Sequence, residues 1–160
     1  GCSTSLPCTH GVEGFLSYRS MTDIARKMRD MDCAMLMTHD PQGHITGRPM
    51  NNARSDGYRG DSYFFAWEDS QLVRDIERNP RVAMAYQGHR RLLGSPGVQI
   101  SVEGMARVVR DRKLFAEHWS QELERWFRRG VQTPGLVMIH VHARRVHYWD
   151  GADEGEFDVA

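Results

Sequence analysis

Apolar residues recur at two periods along this chain, and the switches between them lay out its elements. Met21, Ile24, Ala25, Met28 and Met31 fall at helical spacing, which predicts an amphipathic helix over 21–31 with Arg26, Lys27, Arg29 and Asp30 on its charged face. Ser20 is placed to cap it, with Asp23 three residues on. Strand signals follow. Ala34 to Thr38 is an apolar run, Asp40-Pro41-Gln42-Gly43 is turn chemistry, and Ile45 to Asn51 returns as the second arm of a hairpin. Pro49 in that arm lacks a ladder donor, which places it at a sheet edge or a bulge. Ser55 to Asp61 reads as a turn and Ser62 to Trp67 as a third strand. Ser70 to Arg78 is a short helix with Leu72, Val73 and Ile76 inward, stopped by Asn79-Pro80. Arg81 to Gln87 alternates as a fourth strand, Gly88 to Gly97 is a polar loop, and Val98 to Val109 is a long fifth strand bent at Gly104. Asp111 caps a helix carrying Leu114, Phe115, His118, Trp119, Leu123, Trp126 and Phe127. Gly130 to Gly135 is a turn, and Leu136 to Val141 and Val146 to Trp149 are two late strands.

Strands joined by hairpins, with few crossover helices, predict a mainly β fold: a six- to seven-stranded antiparallel barrel with helices packed outside, not a doubly wound sheet. The chain divides into a loose arm over 1–19, rich in Ser, Thr, Gly and Pro, a domain over 20–150, and an acidic, mobile tail over 151–160.

The 160 residues fit one domain. A domain of that size buries roughly 70% of the surface its unfolded chain exposes, so its core needs no disulfide or metal. Lys+Arg and Asp+Glu are both 21. Zero net charge argues against general binding to nucleic acid or an anionic membrane, and does little to oppose self-association. Cys2, Cys8 and Cys33 are a poor disulfide framework, and no run approaches the apolar length of a membrane span. Residues 1–14 lack the basic and apolar regions of a signal peptide, so a cytoplasmic protein is expected.

The dinucleotide, P-loop and hydrolase-elbow motifs are absent. His140 and His142 share one strand face and could offer two imidazoles to a metal, but no third ligand follows at a recognised spacing, so no metal site is expected. Trp119, Trp126 and Phe127 read as core or subunit interface before cofactor wall. The one candidate for ligand chemistry joins Arg48, on a strand beside Pro49, to the apolar strand Tyr63 to Trp67 that runs through Glu68-Asp69 into a helix at Ser70. A helix start favours anions, so an arginine beside it is a phosphate site without a glycine-rich loop.

An ordered set of motifs carries a family likeness: Gly47-Arg48-Pro49-Met50, Tyr63-Phe64-Phe65-Ala66-Trp67 with Asp69-Ser70, Asn79-Pro80-Arg81-Val82, Ser101-Val102-Glu103-Gly104, Arg107-Val108-Val109, Trp126-Phe127 and Tyr148-Trp149-Asp150. Over about residues 20–150 the chain resembles the general stress protein branch of the pyridoxamine phosphate oxidase-like, FMN-binding split β-barrels. The resemblance implies a homodimer with FMN at the subunit interface. It implies that Arg48 meets the phosphate or ribityl chain, that Pro49 and Met50 edge the isoalloxazine, and that Phe65, Ala66 and Trp67 line the strand side. Ser70 would hold phosphate at the helix start, and Trp126 would close the site from the other subunit. Related oxidases carry a lysine where this chain has Leu72. A lost charge-assisted hydrogen bond is worth about 1.5–3 kcal/mol, which is about ten- to a hundredfold in FMN affinity. The resemblance makes a flavin-dependent oxidoreductase of unknown small substrate the leading function; no catalytic residue is legible. A non-catalytic flavin-binding or flavin-sensing stress protein is the alternative, and a cofactor-free dimer is a third reading.

Overall fold

The computed structural model describes residues 20–52, 57–94 and 96–159. The expected arm over 1–19, with Cys2 and Cys8, lies outside them, as does part of the turn before the third strand. Seven antiparallel strands carry the fold: β1 (Cys33–His39), β2 (Ile45–Asn51), β3 (Asp61–Trp67), β4 (Arg81–Gln87), β5 (Gln99–Val109), β6 (Leu136–Asp150) and β7 (Asp153–Asp158). They hydrogen-bond in the order β2-β1-β4-β5-β6-β3, with β7 also on β6. This is the expected mainly β, antiparallel architecture. β2 and β3 end the path, so the curled sheet stays open between them. Pro49 therefore sits on an edge strand, where its missing N–H is tolerated.

One face of every strand from β1 to β6 feeds a single core that includes Leu36, Phe64, Met84, Val102 and Val141. Helices α1 (Met21–Met28) and α2 (Gln71–Arg78) plug it with Ile24, Met28, Leu72, Val73 and Ile76. A second, smaller core lies on the opposite face of β3 and β6, where Phe65 and Met138 meet Phe115, Leu123 and Phe127. The segment after β5 covers that face.

Four expectations needed correction. The first helix ends at Met28 rather than residue 31, because the Asn52 side chain donates to the Met28 and Met31 carbonyls (2.8 and 2.6 Å) and stops the helix there; Ser20 holds the N-cap position without a side-chain cap bond. The aromatic-rich segment after Asp111 is not one helix. It is α3 (Arg112–Glu117) followed by 3₁₀ turns at Gln121–Arg125 and Gly130–Gln132, and it breaks where His118 stacks on Tyr63, 3.4 Å between ring centroids. The two late strands are one 15-residue strand, because a register shift between Glu103 and Gly104 absorbs the exposed pair Arg144-Arg145 without ending the ladder.

The acidic tail is the fourth. It is not mobile over its length: residues 153–158 form β7, with Phe157 against the core and Glu154, Glu156 and Asp158 outward. β7 pairs with Arg145–Asp150, and β3 pairs with Leu136–His142, so the two share one edge of β6 end to end.

Gly104, the expected bend, lies at the register shift between β5 and β6, with the β6 backbone close against it. A Cβ there would lie 2.5 Å from the His142 carbonyl oxygen, a backbone atom that cannot swing aside. Gly104→Ala is expected to cost about 1–3 kcal/mol of stability, read as a lower urea midpoint at unchanged slope.

Candidate functional site

Thr46, Arg48 and Met50 alternate on β2 with the exposed Ile45, Gly47 and Pro49, so Arg48 points to the core side of the open edge. Its guanidinium lies across β1. Nη1 donates to the Leu36 carbonyl (3.1 Å) and to Thr38 Oγ1 (2.8 Å), and Nη2 donates to Thr46 Oγ1 (3.0 Å). Nη2 is also 3.8 Å from Asp75 Oδ2. Asp75 is fully buried on α2 and is the hub of the arrangement. Thr38 Oγ1 donates to Oδ2 (3.0 Å), while Gln71 Nε2 (2.7 Å) and Arg78 Nη2 (3.2 Å) donate to Oδ1.

Burial alone would raise the Asp75 pKa. The hydrogen bonds from Gln71, Thr38 and Arg78, with the Arg78 charge, outweigh it and hold the carboxyl below its ordinary value. Burial lowers Arg48, and the Asp75 charge opposes that shift. Two guanidinium groups share one carboxylate here, which leaves one positive charge over. The Arg48 side chain keeps 24% of its surface exposed. Three of its five N–H groups are used by the bonds above, so the head retains donors for a further acceptor.

Ser70 caps α2, its Oγ accepting from the Val73 N–H (3.4 Å). The sequence places Arg48 beside this helix start. The structure sets it against Asp75 instead, five residues along the helix, or about 7.5 Å of axial rise. Leu72 is buried in the main core and presents no side chain to a ligand.

The strand residues divide by face. Ala66 is buried in the main core, and Phe65 is buried in the second one, edge-on to Phe115 and Trp119. Trp67 is 43% exposed and tilted against Phe127. Pro49 faces outward opposite Met35, and Met50 packs on the core. Trp126 is half exposed under the Arg125 guanidinium and lines a hollow with Asp32, Asn51 and Glu122. Within one chain it already stands at the end of the strand that bears Arg48.

His140 and His142 both bond one oxygen of Asp61, through Nε2 and Nδ1 at 2.8 Å each. Arg107 donates to His140 Nδ1 (3.1 Å), which fixes the Nε2–H tautomer facing Asp61. Among the described residues no group of three His, Cys, Asp or Glu side chains is placed to hold a metal. Burial raises the Asp61 pKa, and the two histidine bonds override it, for a net lowering. Cys33 is exposed, at the first position of β1.

Asp75, Thr38, Thr46 and Asp61 were not singled out from sequence. The signal for Asp75 was present: Gln71, Asp75 and Arg78 fall at i, i+4 and i+7 on α2, with Asp75 between the inward Leu72 and Ile76.

A family model described as pyridoxamine 5'-phosphate oxidase like matches residues 19–160. The chain belongs to that family. The match takes in β7 as well as the barrel. A curated relative, Protein bli-3 of Neurospora crassa, is 24% identical over 139 residues, 81% of this chain and 64% of that protein, so this chain spans less than two thirds of it. Two solved structures share the fold. A Clostridium acetobutylicum protein related to general stress protein 26 superposes with a TM-score of 0.72 at 13% identity, over 87% of this chain and 94% of that one. The general stress FMN/FAD binding protein of Xanthomonas citri superposes with a TM-score of 0.66 at 20% identity, over 82% and 89%. In the described residues no helix is long and apolar enough to cross a membrane.

Asp75→Asn is expected to lower stability at neutral pH by about 1–3 kcal/mol. The Asp75 pKa is depressed in the fold, so its contribution is complete above the unfolded value near 3.8 and is lost as the pH falls below it. The variant should therefore show a shallower loss of stability below about pH 4 than the parent, measured by urea unfolding across that range.

Proposed function

We propose that this chain binds FMN at the open edge between β2 and β3, as a homodimer with the cofactor at the subunit interface, and acts as a flavin-dependent oxidoreductase. The observation that carries the reading is the Arg48 head, oriented by four groups, partly exposed at the split, and part of a cluster with one excess positive charge. An anionic phosphate fits that excess. The N-terminus of α2 adds backbone donors of the same polarity, with Ser70 at its cap. Arg48 would hold the phosphate or ribityl end, the β2 backbone at Pro49 and Met50 would border the ring, and Trp67 and Trp126 are the exposed aromatics available to cover it. Bound flavin supplies the redox chemistry, and the chain positions it and limits access of water.

The buried Leu72 makes a lysine-like contact from that position impossible, so phosphate affinity rests on Arg48 and the helix start. FMN titration, followed by quenching of flavin fluorescence, should saturate with the wild-type chain. Arg48→Ala should weaken binding at least about tenfold. It should remain folded by circular dichroism, because Thr38, Gln71 and Arg78 still satisfy Asp75. Unchanged affinity in the folded variant would place the phosphate elsewhere.

Turnover is a separate question from binding. Anaerobic mixing of the FMN-loaded protein with NADH or NADPH should bleach the flavin absorbance. A flavin that binds and stays oxidised would make the protein a flavin carrier or sensor.

A further inference from the structure

Thr38 and Thr46 are cross-strand partners on β1 and β2, and each takes one end of the Arg48 fork. Nη1 donates to Thr38 Oγ1 (2.8 Å), and Nη2 donates to Thr46 Oγ1 (3.0 Å). The two hydroxyls differ in what lies behind them. Thr46 is half-buried on the edge strand. Thr38 is 1% exposed, and its hydroxyl also meets Asp75 Oδ2 (3.0 Å).

That second contact fixes the direction of the bonds. A guanidinium only donates, and the Asp75 carboxylate, held ionised by its donors, only accepts. The single Thr38 hydroxyl proton is therefore committed to Asp75, and its lone pairs are left for Arg48. Nη2 lies 3.8 Å from Asp75 Oδ2, beyond hydrogen-bond reach. Among the described residues Thr38 Oγ1 is thus the one hydrogen-bonded link between the buried carboxylate and Arg48. A hydroxyl polarised by an anion is a stronger acceptor than one without it. It draws Nη1 toward β1, where the Leu36 carbonyl takes a further bond (3.1 Å). Both Nη1 hydrogens are spent on β1, which leaves Nε–H and one hydrogen of Nη2 for a ligand. Because the hydroxyl stands between them, the carboxylate aims Arg48 without closing on it as a direct pair.

We propose that Thr38 is the positioning residue of this site, an assignment that rests on the FMN reading: the Asp75–Thr38 relay sets the guanidinium to grip the phosphate, and through it the site takes FMN in preference to riboflavin. Riboflavin has no phosphate and gains nothing from an aimed arginine. The relay therefore shows in the ratio of the two affinities, which the loss of a residue that only packs would leave unchanged.

The test is titration with FMN and with riboflavin, followed by quenching of flavin fluorescence, on variants checked by circular dichroism. Thr38→Val removes the hydroxyl at nearly constant volume. It should weaken FMN about tenfold or more and leave riboflavin unchanged. Thr38→Ser keeps the hydroxyl and should keep the preference for FMN. Thr46→Val removes a bond to Arg48 that has no carboxylate behind it, and should cost less than Thr38→Val. Thr38→Val also strips a donor from a buried acid. Should it fail to fold, Asp75→Asn carries the test, because an amide can donate to the threonine and so ends the fixed direction of the relay. The preference for FMN should then fall in the same way. A folded Thr38→Val with unchanged FMN affinity, beside an Arg48→Ala that weakens it, would overturn the relay and leave the Arg48 site standing. Equal losses of FMN and riboflavin, or equal losses in Thr38→Val and Thr46→Val, would reduce Thr38 to packing and overturn it as well. No FMN binding by the wild-type chain, or no effect of Arg48→Ala, would sink the site and the relay with it.

Discussion

The architecture turns on one buried carboxylate. Asp75 has no exposed surface, and an ionised group in that position is tolerable only if every direction around it is filled by a donor. The donors come from β1 and from α2 itself, and the Arg48 charge on β2 lies against them. Satisfying that charge therefore fixes the first hairpin against the helix that plugs the barrel. The same demand presents the Arg48 head at the open edge, with its orientation set before any ligand arrives. Positioning by a buried acid gives Arg48 a structural role, and the binding role proposed for it starts from that fixed orientation.

Much of the fold was legible because it is written in local patterns. The alternation in Arg81 to Gln87, the Asp40 to Gly43 turn and the Asn79-Pro80 stop each name an element whose neighbours lie close in sequence. Errors arose where a distant partner decided the outcome. Asn52 ends the first helix from beyond the hairpin. Tyr63 on β3 breaks the long aromatic segment by stacking on His118. Composition marked Asp153 to Asp158 as loose, yet its alternate residues Gly155 and Phe157 fit against Tyr148, and pairing with β6 satisfies its backbone. Local sequence holds no record of such partners.

The candidate site shows the same division. Arg48 on its strand and Ser70 as a helix cap were readable, because a strand arginine and a helix cap are local signals. Their separation was not, since it depends on which turn of α2 the Arg48 side chain meets across β1. Leu72 and Asp75 sit three residues apart on one helix and are both inward, one in apolar surroundings and the other among donors. Helical spacing finds the inward face but does not say which part of it is wet.

Pro49 sits on the one strand at the β1 end of the sheet, where a free ladder of backbone groups would otherwise recruit a further strand from any passing chain. With acidic and basic residues in balance, bulk repulsion offers no protection against such growth. The break in the donor row does, because a strand docking there in register would meet a gap where it needs a bond. The residue that borders the proposed cofactor edge thus also terminates the sheet and guards it against zipping edge to edge into a fibre.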